Sequence, residues 1–140
     1  MLVQSIAALS AAATAVLCAV GTAAIRRLPE PALESDAADK VPYAQIADQA
    51  WLPVELAAAG AVVGGLVGWR LGWEPILAGW IYLGATGVVL AYIDARTRIL
   101  PTRIIAPSYA IVIVLVCLSA VLDRDTSGLV QSALGWLVMG

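Results

Sequence analysis

YIDARTRILPTR, residues 92–103, stands between two long apolar runs and decides how the chain is folded. It holds one aspartate, three arginines and a proline. Proline has no backbone N–H and biases the residue before it away from helix. The chain is therefore expected to turn here, with Pro101 leading into a new helix. Asp94 then falls where one span ends. Either it is polar trim at a membrane face, or it is half of an active site.

Composition supports the membrane reading. The 140 residues are 61% hydrophobic and 13% charged, whereas a soluble domain is nearer 45–50% and about 25%. A net charge of −2 gives no electrostatic basis for nucleic-acid binding. There is no histidine and no C-x-x-C, which removes the usual zinc ligands and any Ser-His-Asp or Cys-His chemistry. Carboxylates, lysine, tyrosine and hydroxyls are left. Cys18 and Cys117 lie inside apolar runs and are expected as free thiols acting as small apolar residues.

A span needs about 20 mostly apolar residues. Leu2 to Ile25, Leu52 to Leu71, Pro75 to Ile93 and Ile104 to Leu122 come close to that length. A fifth run starts near Ser127 and continues to Gly140, too short to cross. The expected fold is thus all-α, a polytopic bundle of four complete transmembrane helices plus the start of a fifth. The first run has no basic residue before it and is followed by Arg26 and Arg27, so it is expected as a retained helix, not a cleaved signal.

Positive charge sets the direction. With the amino terminus outside, Arg26, Arg27, Lys40, Arg96, Arg98 and Arg103 lie in cytoplasmic loops, against Arg70 and Arg124 outside. Asp94 is then cytoplasmic. Trp51, Trp69 and Trp73 flank the second span as interfacial aromatics do. The loop from Arg26 to Ala50, rich in proline and acids, reads as irregular and solvated. Gly60, Gly64 and Gly68 repeat every fourth residue in the second span and predict close helix packing. Gly79, Gly84 and Gly87 suggest the same for the third.

Asp94 opposes the macrodipole at a helix C-terminus, a cost of about 0.3–1 kcal/mol at exposed sites. Arg96, Arg98 and Arg103 offset part of it, and serve also as positive-inside anchors. An aspartic peptidase needs two carboxylates sharing a proton, one acting as base on a water and one as acid. Glu55, after Pro53 at the start of the second span, is on the same side as Asp94. It is a candidate partner, or an ordinary anchor and hydrogen-bond acceptor. Glu74, Asp123 and Asp125 belong to the opposite face. Asp36, Asp39 and Asp48 are loop acids that favour solubility.

YIDARTRILPTRIIAPSYAIVI, residues 92–113, resembles the first catalytic-aspartate region of type IV prepilin peptidases, polytopic aspartic proteases of the membrane. Asp94, Arg96, Arg98, Ile99, Leu100 and Pro101 fill the pattern of a span, an Asp, basic residues, and an apolar residue with Pro opening the next span. GTAAIRRLPEP, residues 21–31, resembles the end of that family's first helix, and WLPVELAAAGAVVGGLVGWRLG, residues 51–72, its Pro-x-x-Glu-Leu helix. The ordered segments cover most of the chain.

The resemblance implies one prepilin-peptidase-like membrane domain over residues 1–140, with a first cytoplasmic loop, 26–50, lacking the zinc motif that many members carry. It implies cleavage of prepilin or pseudopilin leaders at the cytoplasmic face of the plasma (inner) membrane. Water is the nucleophile, Asp94 one catalytic carboxylate, and no metal or other cofactor takes part in the peptide cleavage. Partners are the prepilin and the lipid bilayer, with no nucleic acid. The missing zinc motif leaves the associated N-methylation open. The family's second aspartate sits in a G-x-G-D beyond a further span, and no G-x-G-D occurs here. The chain as given is therefore expected to stop before its second carboxylate and to be inactive alone. Two other classes stay open: a non-enzymatic membrane subunit, and a small transporter component with Asp94 or Glu55 on a proton path.

Overall fold

The computed structural model describes residues 2–28, 42–97, 101–124 and 127–139. Among them are six helices and no strand: α1 (Leu2–Arg26), α2 (Tyr43–Ala47), α3 (Leu52–Leu71), α4 (Leu77–Thr97), α5 (Thr102–Asp123) and α6 (Ser127–Met139). Helices α1, α3, α4 and α5 are each long and apolar enough to cross a membrane. The fold is all-α as expected, with these four long apolar helices and α6 as a shorter one. At 13 residues, α6 is about 20 Å long, short of a hydrocarbon core of about 30 Å.

The bundle is built on α1 and α3, and the glycines explain why. Gly60, Gly64 and Gly68 are buried along one face of α3. Opposite them runs a buried stripe of small residues on α1, Ser10, Thr14 and Cys18. The helices are antiparallel, so Gly60 meets Cys18 and Gly68 meets Ser10. A Cβ at Gly60 would stand 2.5 Å from the Cys18 sulfur, and one at Gly64 would run into the Thr14 hydroxyl and the Ser10 carbonyl. In a bilayer, where apolar surface alone gives no preference for another helix, this close backbone approach supplies the attraction. Thr14 Oγ1 donates to the Ser10 carbonyl at 2.8 Å, which satisfies the threonine hydroxyl inside the seam.

Helix α4 lies across this pair. Ala85, Val89, Ile93 and Thr97 recur every fourth residue on its buried face. The Val89 side chain fills the space above Gly21 of α1, and Cys18 Sγ approaches the Ala85 carbonyl at 3.7 Å. Of the α4 glycines, Gly84 meets Val63 closely, Gly79 lies at ordinary distance from Leu115, and Gly87 has nothing within 4 Å. Tight packing expected from all three holds only at Gly84. Helix α5 packs on α4 and α6 on α5.

The loop between the first two spans departs from expectation. Residues 29–41 lie outside the described residues, Lys40, Asp36 and Asp39 among them. Further on, however, Tyr43–Ala47 is a short helix whose Tyr43, Ile46 and Ala47 are buried in the core. Their i, i+3, i+4 spacing gives α2 one apolar face, and that face closes the end of the bundle near Ile25, Leu52 and Ile93. Arg26 holds α2 from outside, donating to the Ala47 carbonyl at 3.2 Å, with Asp48 at 3.9 Å. Helix α3 ends at Gly72, whose φ of 67° is a conformation glycine reaches without strain.

Candidate functional site

The third span runs past its expected end at Ile93 to Thr97, so Asp94 belongs to the last turn of α4. Thr97 Oγ1 donates to the Ile93 carbonyl at 2.9 Å, holding that turn together. The rotation of the turn is fixed by Ile93, fully buried between α1, α2 and α3. Asp94 and Tyr92 flank it on either side.

Tyr92 points to α3. Its hydroxyl donates to Gln49 Oε1 at 3.0 Å and lies 3.4 Å from Glu55 Oε2. The Arg96 guanidinium sits 5.4 Å from the centre of the Tyr92 ring, within cation–π range. Tyr92 thus ties the end of α4 to the start of α3 and to the segment after α2.

Residues two apart on a helix do not face the same way. Asp94 is therefore on the other flank of α4 from Tyr92, and Glu55 is drawn to Tyr92. The structure brings both carboxylates to one end of the bundle without pairing them. Asp94 is exposed, and no hydrogen bond or ion pair joins it to another described residue. Arg98, Ile99 and Leu100 lie outside the described residues.

On the flank of Asp94, helical spacing aligns it with Leu83, Gly87 and Leu90. These three line an apolar groove of about 310 Å³ against Ile105, Tyr109 and Val112 of α5. The groove leads along the bundle towards the turn that carries Asp94. At the opposite end, Glu74 and Asp123 border a separate cavity of about 510 Å³. Ser119 donates to Asp123 Oδ2 there at 3.4 Å. Asp125 lies outside the described residues.

Cys18 is buried and Cys117 exposed, both as free thiols. No three histidines, cysteines or acids gather as a metal site among the described residues. A lone exposed carboxylate accepts a proton or orients a water, and peptide hydrolysis by two carboxylates requires one more beside it. Sequence reasoning found Asp94 and Glu55 but missed Tyr92, which separates them. Its signal was present, since a tyrosine at a span end usually finds a hydrogen-bond partner.

Comparison with protein-family models, with curated proteins and with solved structures found no match.

Proposed function

We propose that the chain is a membrane aspartic endopeptidase of the prepilin peptidase type, cutting prepilin or pseudopilin leaders at the cytoplasmic face of the plasma (inner) membrane. Asp94 is one of two carboxylates that hold the attacking water, and the second is supplied from outside residues 1–140. The observation that carries this reading is the position of Asp94. It is exposed on the last turn of α4, on a flank that α3 does not cover, and at the bundle end that also bears Arg26, Arg96 and Arg103. Glu55, engaged with Tyr92, serves as an anchor of the α3–α4 junction.

Two measurements test this. Membranes holding the 140-residue chain alone are predicted to leave a prepilin uncut; Asp94-dependent cleavage by that chain contradicts the reading. The DNA after codon 140 is predicted to encode another span and a G-x-G-D. A stop codon there favours instead a non-enzymatic membrane subunit, the reading also consistent with an Asp94 that has no described carboxylate beside it.

A further inference from the structure

Helices α1 and α5 both pack on α4 without packing extensively on each other, and a second groove of about 300 Å³ opens between them. Val20 and Ala24 of α1 form one wall, Arg103 and Pro107 of α5 the other, and Ala85 and Val89 of α4 the floor. It spans roughly seven residues of each helix, about 10 Å along the bundle.

Its two ends differ in chemistry. At the deep end Tyr82 and Ser108 bring hydroxyl groups, but these are satisfied. Ser108 Oγ donates to the Ile104 carbonyl at 2.7 Å, so its oxygen is left to accept from Tyr82 at 3.1 Å. Nothing there asks for a polar ligand, and the remaining lining is almost wholly apolar. At the shallow end is Arg103, in the first turn of α5 and exposed. No described carboxylate pairs with it. Arg26 and Arg96 stand at the same end of the bundle.

An apolar slot running inward from a cation at the membrane face matches one ligand class. The geometry points to a bound anionic glycerophospholipid, with an acyl chain along the α1–α4–α5 groove and the phosphate on the Arg103 guanidinium. The chain is held by apolar contact in a recess that a neighbouring helix does not fill. The headgroup is selected by charge, since a zwitterionic lipid offers Arg103 no net attraction. This site is on the α1 side of α4, away from Asp94, and it does not depend on the peptidase reading.

The test is native mass spectrometry of the chain, purified in mild detergent and given an equimolar mixture of phosphatidylglycerol and phosphatidylcholine. The wild type is expected to retain phosphatidylglycerol about fivefold over phosphatidylcholine, the preference one interfacial arginine confers. Arg103→Gln is expected to bring the ratio towards one, and Arg103→Lys to keep a preference. Ala24→Trp, an exposed position that fills the groove without disturbing the core, is expected to lower retention of both lipids. Excess glycerol phosphate is expected to leave the adducts in place, because the acyl chain is part of the ligand. A phosphatidylglycerol preference that survives Arg103→Gln, adducts undiminished in Ala24→Trp, or displacement by glycerol phosphate overturns the assignment. So does a doubled mass that Ala24→Trp abolishes, which would give the groove to a second copy of the chain.

Discussion

Asp94 and Glu55 are both acids near a membrane face, and the sequence could not separate their roles. What separates them is one tyrosine. Tyr92 takes Glu55 and Gln49 on the α3 side, and helical geometry turns Asp94 to the other flank. That distinction rests on rotation about the α4 axis, which Ile93 sets by its complete burial. A sequence shows that Ile93 is apolar, but not which neighbours it enters between. The glycines make a second case at this scale. Their spacing on α3 was legible, and their counterparts on α1 were not, because Ser10, Thr14 and Cys18 look like scattered polar residues in an alanine-rich run. We expect Gly64→Ala to destabilise the bundle by about 1–3 kcal/mol, since the new methyl has only the Thr14 side chain and a backbone carbonyl to displace. Gly87→Ala, with open space around it, should leave stability unchanged or slightly raised by the better helix propensity. Denaturation midpoints of the two variants in the same detergent check this, and equal losses contradict the seam.

The elements show where periodicity suffices and where it fails. Four spans were readable because each is a run of apolar residues close to bilayer length, and α6 because its run begins in the same way. Boundaries shifted by a few residues where polar side chains at the membrane face remained helical, as Asp94 does. Helix α2 was missed for another reason. Five residues in a segment of acids and prolines give composition more weight than pattern, yet Tyr43, Ile46 and Ala47 are spaced to share one face. Their burial makes α2 a cover over the end of the bundle where the spans converge. Ile46→Ala, which empties a fully buried site, is expected to cost about 2–5 kcal/mol. Arg26→Ala should cost less than about 1 kcal/mol, since Arg26 and Asp48 are 64% and 78% exposed and solvent screens their attraction. Hydrogen exchange at Ala47 and Asp48 distinguishes the two: strong deprotection in Ile46→Ala, little in Arg26→Ala. The opposite order would mean that α2 is held by its ion pair and not by its apolar face.

Across the whole molecule, the bundle has two polar ends, each with tryptophan, Trp51 at the first and Trp69 and Trp73 at the second. Arg26, Glu55, Asp94 and Arg103 gather at the first, while Trp69, Trp73, Glu74 and Asp123 mark the second. The alternation of α1, α3, α4 and α5 imposes this grouping, whichever way the bundle sits in the bilayer. The direction itself is an expectation from the arginine and lysine distribution. A reporter active only outside the cytoplasm, fused after Glu74, is expected to be active, and one fused after Gln49 inactive; the reverse pattern would place Asp94 outside and end the cytoplasmic-peptidase reading. Catalysis was the least legible level, because the proposed two-carboxylate site would join two distant segments, and Asp94 has no carboxylate paired with it among the described residues. The most direct test of the account is cleavage of a prepilin by membranes from cells expressing the coding sequence that contains residues 1–140. Asp94→Asn is predicted to lower the cleavage rate at least about a hundredfold, while Glu55→Gln leaves it nearly unchanged. Cleavage that survives Asp94→Asn, or that falls as far with Glu55→Gln, would contradict the assignment of Asp94 as the catalytic carboxylate of this chain.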